Sequence, residues 1–389
     1  MRLHLAGTGA LGSIVAHHLR RATSSAHSVV FLHADESDAY NAPNGLVVRT
    51  PGGSTTASTG LDNDCYEPSS SSPTPIESLI LTTRAHNALP VIQRLLPRLS
   101  PDSTIVLVQN TPAVYDRLIQ HIFVDPKTRP HMVLASTSHV GFFEGERRYG
   151  LLRQTHVGKF SLGIVTDPHG RDFEASLYNT ASLAHERVLR LSDIGEPQVD
   201  PQYRRYRSLR NTMAAFLLTE TLNPSWRPLG DVHVAQRQSL VIHSIIHPLT
   251  ALMGCSTYEV FQQPSAVNIA RRVCGEATLL FQEQAKEEAR TWAPAEEMGS
   301  ETMGIARIPP VLGQDRLLDE CLRVAQSPET SSIDSSMLRA VRHNRPTEIN
   351  FLNGYLLHLG KSFRVPMPTT AALYDMVKMR AAIPLDRIM

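Results

Sequence analysis

The chain has 389 residues, 42% of them hydrophobic and 19% charged, which suits two or three domains with buried cores. Lys+Arg 38 against Asp+Glu 37 leaves a formal net charge of +1, so no broad basic field exists to attract nucleic acid or an anionic membrane. The four cysteines, Cys65, Cys255, Cys274 and Cys321, are scattered without a CxxC pair, which argues against a zinc knuckle and a disulfide framework and fits a reducing compartment. No stretch approaches the roughly 20 apolar residues of a membrane span. A strand that starts at residue 2 leaves no room for a presequence, so the expected location is cytoplasmic, with mitochondria kept open.

"RLHLAGTGALGSIVAHHLRR" reads as a strand over Arg2–Ala6, a glycine turn, and a helix from about Ala10. Gly7, Gly9 and Gly12 give G-x-G-x-x-G. In such a turn the first glycine makes the bend, the second lets backbone approach a diphosphate, and the third lets helix and strand pack closely. The predicted diphosphate cradle is therefore Gly7, Thr8, Gly9, Ala10, Leu11 and Gly12, with the helix N-terminus supplying N–H groups and a positive dipole end. "HSVVFLHAD" supplies the second strand. An acidic residue at its end favours NAD and an arginine favours NADP; this chain has His33 there and Asp35 two residues on, which leaves the choice blurred.

"GLVVRTPGGSTTAST" predicts two strands joined by a Pro-Gly-Gly turn. Residues 64–75 read as a polar, low-complexity loop, "ESLILTTRAH" as a buried strand ending in Arg84, and "STIVLVQNTPA" as a strand running into a turn at Asn110. Strands alternating with helices predict a parallel, doubly wound sheet. Short strands follow over 130–165, then a polar stretch over 166–210 read partly as an insertion. Beyond about residue 230 the periodicity is helical, with a long amphipathic helix over 266–290 and another opening at Pro346. The expected division is a dinucleotide-binding domain over 1–230, with insertions near 60–76 and 166–210, and a helical domain over 231–389, with a cleft between them. Gly354, inside a helix, marks a close helix–helix approach, and His139 and His156 read as packing residues.

These segments, taken in order, resemble the ketopantoate reductase (2-dehydropantoate 2-reductase) family over most of the chain. "GTGALG" matches its glycine motif, "TTRAH" a strand whose cofactor-contacting lysine is replaced by Arg84, and "LVQNTPA" its Gln-Asn-Gly turn, keeping Asn110 with Thr111 in place of glycine. "STSHVGF" resembles its Thr-Thr-His segment and "HPLTALMGC" its Asn-Pro-Leu-Thr-Ala-Leu signature. "SSMLRAVRHNRPTEINFLNGYLL" is the most specific match, with Ser336 and Glu348 at the family's spacing. The resemblance implies a Rossmann-type domain followed by an all-α domain like the C-terminal domain of 6-phosphogluconate dehydrogenase. It also implies hydride transfer from NADPH, with NADH kept open, to the ketone of a small α-keto acid. Arg84, Asn110, Glu348 and His33 join the implied cofactor contacts. Asn110, Thr257 and Ser336 are implied to meet substrate. For two of these a bland alternative stands beside the motif: Ser336 as a helix cap, Glu348 as a charge at a helix start.

Four residues of the second domain depart from the pattern. In the family's Lys-Leu-x-x-Asn-x-x-x-Asn-Pro-Leu-Thr, the lysine that stabilises and protonates the alkoxide falls on Ser239, and the asparagines fall on His243, His247 and, further on, Thr257. No lysine lies anywhere in 160–285, and Arg237 is the nearest cation, a poor general acid. Either an imidazole of His243 or His247 takes over proton donation, or the site is catalytically inactive and the protein serves as a scaffold, for example in mitochondrial gene expression, or the rings fill a polar cleft. His at i and i+4 suits zinc, but no third ligand accompanies the pair, so no metal is expected. The expected partners are a small-molecule substrate and a second copy of the chain through the helical domain, with no nucleic acid and no membrane.

Overall fold

The computed structural model describes residues 1–67, 74–144, 150–180, 183–292, 308–327 and 334–383. The centre of the 64–75 loop lies outside the described residues. The chain divides into two compact units, Met1–His233 and Val234–Met389.

The first unit opens with β1 (Arg2–Ala6), α1 (Ala10–Ala22), β2 (Ser28–His33) and α2 (Glu36–Asn41). Then come β3 (Gly45–Arg49), β4 (Thr55–Thr59), β5 (Leu61–Cys65), β6 (Ser78–Leu81), α3 (Ala85–Leu95), β7 (Thr104–Val108) and α4 (Ala113–His121). The unit closes with β8 (His131–Thr137), β9 (Val140–Phe143), β10 (Leu152–His156), β11 (Phe160–Ile164), α5 (Ala175–Tyr178), α6 (Leu191–Ile194), α7 (Tyr203–Leu217) and β12 (Pro224–Trp226).

Among the described residues eight strands form the main sheet in the order β12-β11-β8-β7-β6-β1-β2-β5, and the six from β5 to β8 run parallel. Counted from β1, that run reads 3-2-1-4-5-6, the doubly wound dinucleotide-binding order, with its reversal between β1 and β6. The strands are Val/Ile/Leu-rich because both faces are covered: β1, β2, β6 and β7 bury nearly every side chain. Residues 61–65 are part of this sheet, since Val29↔Leu61 through His33↔Cys65 pair in register. That half of the segment near 60–76 is an edge strand. Likewise the end of the 166–210 stretch is core: Tyr206 of α7 is fully buried and donates to Asp167 Oδ2 at 2.6 Å.

A second sheet, β4-β3-β10-β9, packs on the far side of α1. Burial on both sides explains an unusual helix. His17 bridges Ser58 and Thr56 at 3.0 Å each, and His18 meets Gln154 Oε1 at 3.0 Å, so the helix's polar face is satisfied by a sheet instead of by water.

In the second unit, α8 (Leu229–Met253), which begins just before its boundary, is followed by α9 (Thr257–Phe261), α10 (Pro264–Trp292), α11 (Gln314–Gln326), α12 (Ser336–Arg342), α13 (Asn353–Ser362) and α14 (Pro368–Ala382). Their apolar faces meet in one core that includes Ile245, Phe281, Leu317, Leu356 and Leu373. The helix expected from Pro346 starts later. A single 3-10 turn covers Ile349–Phe351, Leu352 is non-helical, and α13 opens at Asn353, although Ile349, Leu352 and Leu356 are all buried. A Cβ on Gly354 would lie 3.1 Å from the Tyr374 ring, so α13 and α14 approach closely there.

Candidate functional site

The glycine turn lies at the carboxyl end of β1, beside the sheet's reversal point. Gly7 has φ +123°, and a Cβ there would sit 2.8 Å from backbone atoms of Thr82 and Thr83. A Cβ on Gly12 would overlap the Gly7 carbonyl oxygen, so α1 can lie this close to β1 only with glycine. Thr82, which follows β6, completes the bend by donating from Oγ1 to Gly7 O at 3.0 Å. Gly9 differs: it is exposed, and nothing lies within 4 Å of where its Cβ would be. It is also the N-cap of α1, with no side-chain cap and no acidic residue in the first turn. Thr8, Ala10 and Leu11 are half-buried around it. An open backbone cradle at an uncapped helix start fits the diphosphate of a dinucleotide. Gly7, Thr8, Gly9, Ala10, Leu11 and Gly12 would hold it.

Other residues assigned from sequence fall differently. Arg84 is the N-cap of α3 just past β6, half-buried, and no hydrogen bond or ion pair of its guanidinium occurs among the described residues. It is a cation available to an anionic ligand at this edge. The Asn110 side chain is committed: Nδ2 donates to Thr137 O at 2.8 Å while Oδ1 accepts from Thr137 N at 3.0 Å. Its amide extends the ladder between β7 and β8, so the side chain clamps the sheet edge and only its backbone is offered to a ligand. His33 is 1% exposed, and its Nε2 pairs with Asn63 Oδ1 at 3.0 Å on the neighbouring β5. As the last buried residue of β2 it does not present its ring to a ribose. The exposed residues beyond it are Ala34, Asp35 and Glu36. Thr82 and Arg94 were missed because their part depends on partners distant in sequence: Thr82 on Gly7, and Arg94 on Ala34, whose carbonyl its Nη2 meets at 2.7 Å.

In the helical unit, His243 and His247 are neighbours on α8, with ring centroids 4.7 Å apart and planes 28° from parallel. Desolvation by burial pushes His243 down to about 4. It pushes His247 well below the usual imidazole value, helped by the positive charges of protonated His243 and of Arg339. Both rings are therefore neutral at pH 7. This corrects the expectation of an imidazole titrating near neutrality, because that expectation took no account of how far the rings are withdrawn from water. Ser239, in the family lysine's place, lies one turn back with its Oγ 3.3 Å from His243 Nδ1. His247 Nδ1 is buried with no hydrogen-bond partner among the described residues, as are Ser244 Oγ and Asn353 Oδ1 nearby. Arg237 is engaged elsewhere, with Glu288 at 3.3 Å.

Ser335, not Ser336, caps α12, accepting from Leu338 N at 3.1 Å, which leaves Ser336 half-buried at the first helical position. Its side chain is thus not the cap. Glu348 precedes the 3-10 turn, half-buried, with no capping bond. Thr257 is only 4% exposed at the start of α9, behind the Ser256–Glu259 capping box, a poor position from which to meet a substrate. Among the described residues no cluster of three or more His, Cys, Asp or Glu side chains is arranged to hold a metal ion.

Two family models match the chain: "Ketopantoate reductase PanE/ApbA" over residues 3–165 and "Ketopantoate reductase PanE/ApbA C terminal" over 231–381. The 2-dehydropantoate 2-reductase of Saccharomyces cerevisiae is 22% identical over 381 residues, covering 93% of this chain and 89% of its own. That of Yersinia pestis is 23% identical over 305 residues, covering 78% of this chain and 73% of its own. Among solved structures, D-mandelate dehydrogenase with NADH and anilino(oxo)acetate superposes with a TM-score of 0.68 at 15% identity, covering 98% of this chain and 99% of that one. Matched in both halves, the chain belongs to the ketopantoate reductase family.

Proposed function

We propose that this chain is a nicotinamide-dependent reductase acting on the ketone of a small α-keto acid or a related carbonyl. The observation that carries the reading is the open cradle at Gly9, shaped by Gly7 and Gly12 and left uncapped at the start of α1. The curated relatives are reductases over most of their length, and nothing favours the scaffold reading. Bound there, the nicotinamide nucleotide supplies the hydride. The chain's own part is to seat the diphosphate on backbone N–H groups, with Arg84 as a counter-charge. His247 Nδ1 is buried and without a hydrogen-bond partner among the described residues, a capacity that a polar atom of the substrate would satisfy, and His243 leans on Ser239. Neutral imidazole donates a hydrogen bond to a developing alkoxide without first carrying a charge, Ser239 is too weak an acid to replace lysine, and the proton that completes the alcohol comes from water. Glu348 and Ser336 remain proposed contacts for cofactor and substrate.

A homodimer through the helical unit belongs to the proposal. A structurally similar ketopantoate reductase from Staphylococcus aureus, with a TM-score of 0.60 at 14% identity, is described as dimeric. Among the described residues no helix is long and apolar enough to cross a membrane, and the four cysteines are free thiols, which supports a reducing compartment such as the cytoplasm. Thermal-shift titration with NADH and NADPH, followed by cofactor oxidation with a panel of α-keto acids, tests the reading. Saturation at about 100 times the dissociation constant should add roughly 2.7 kcal/mol. No shift with either nucleotide overturns it.

A further inference from the structure

The sheet brings two chain segments to one edge. β1 and β2 pair in parallel with Ala6 opposite Leu32, so the glycine turn after Ala6 and the exposed segment after His33 emerge side by side at the carboxyl end of the sheet. Neighbouring strands lie about 4.8 Å apart, so a ligand whose diphosphate rests on Gly9 extends its ribose over the end of β2.

What lines that end is acidic. Asp35 is exposed and spends one carboxylate oxygen as the N-cap of α2, accepting from Asp38 N at 2.7 Å. Glu36 follows, also exposed. Across the edge Tyr66 N donates to His33 O at 3.0 Å, which brings Glu67 to the same place. Of the guanidiniums near the carboxyl end of the sheet, Arg84 at the start of α3 is assigned to the diphosphate, and Arg94, the one at the end of β2, is already engaged: it lies over the Tyr66 ring and binds Ala34 O at 2.7 Å and Glu67 Oε2 at 3.0 Å. Among the described residues at the end of β2 no open cation is placed for a 2′-phosphate, whereas a carboxylate accepts hydrogen bonds from a free ribose diol.

Resting on the reading of the first unit as a nicotinamide-nucleotide site, we infer that this chain selects NADH over NADPH through the acidic rim of Asp35, Glu36 and Glu67 at the end of β2. The 2′-phosphate carries close to two negative charges near neutral pH, and repulsion from the rim discriminates against it. Because the rim is exposed, the discrimination weakens with salt.

Titration of the full-length protein with NADH and with NADPH, following nucleotide fluorescence at low and high ionic strength, tests this. NADH is expected to bind at least tenfold tighter at low salt, with the ratio shrinking at high salt. Asp35→Asn keeps an oxygen for the α2 cap, and Glu67→Gln releases Arg94. Each should narrow the ratio at least threefold by strengthening NADPH, with unfolding temperature unchanged. NADPH binding as tightly as NADH, or a ratio that neither variant moves, overturns the inference and leaves the nicotinamide reading standing. Binding of neither nucleotide overturns both.

Discussion

Asn353 donates from Nδ2 to the carbonyl oxygen of Ser244 at 3.0 Å, and that carbonyl is the one Pro248 leaves open. Proline has no N–H to return to the residue four back, so α8 has a gap in its ladder just where His247 stands. The fully buried Asn353, at the start of α13, fills the gap from a neighbouring helix. Asn353→Ala should therefore cost about 1–3 kcal/mol by stranding a buried carbonyl. It should appear in urea unfolding as a lower midpoint with an unchanged slope. A midpoint equal to the parent's would show that the bond contributes nothing.

The three glycines of the turn separate folding from binding. Gly12→Ala places a methyl group onto the Gly7 carbonyl, so the expected result is a large loss of soluble, folded protein. Gly9→Ala meets no protein atom and should fold with an unchanged unfolding temperature, yet weaken nucleotide binding at least tenfold. Equal nucleotide affinity in Gly9→Ala and the parent would move the diphosphate away from this turn.

Much of this architecture was readable in advance, for a physical reason. β1, β2, β6 and β7 are buried on both faces and so appear as unbroken apolar runs, and the glycine spacing marks the turn between the first of them and α1. What could not be read was set by partners distant in sequence. Asn110 looked like a ligand contact, but Thr137 takes both ends of its amide. His33 looked like a ribose residue, but pairing with β5 turns it to Asn63. The neutrality of His243 and His247 follows from their desolvation on folding, which helical spacing alone does not report.

Desolvated imidazoles make both units sensitive to acid, and most of them lie in the first unit. Burial pushes His4 and His17 down to about 4, and it also lowers His18, His131 and His139. A group with a depressed folded-state value binds its proton more readily when unfolded, so its share of stability is complete above about 6.5 and is lost as pH falls toward 4. For His4 and His17, 1% and 0% exposed, the loss by pH 4 is on the order of 3 kcal/mol each. Unfolding temperature should be level from pH 7 to 8 and fall steeply below pH 6. His17→Gln, which can still bond Ser58 or Thr56, should flatten part of that fall. A parent protein equally stable at pH 4.5 and pH 7.5 would contradict the burial of these rings.

The same logic bears on His247 in catalysis. If a cationic imidazole donated the proton, turnover would fall as pH rises through the ordinary histidine range near 6.5. With His243 at about 4 and His247 well below the ordinary imidazole value, no such fall belongs to this pair above pH 6, and its contribution is that of a neutral hydrogen-bond donor. Loss of one such donor to a developing oxyanion costs about a hundredfold to a thousandfold in turnover. His247→Ala should therefore lower kcat by about a hundredfold at every pH from 6 to 9, leaving the profile's shape unchanged. A limb between pH 6 and 7 that disappears in His247→Ala would show the ring to be titrating after all and would overturn its role as a neutral donor.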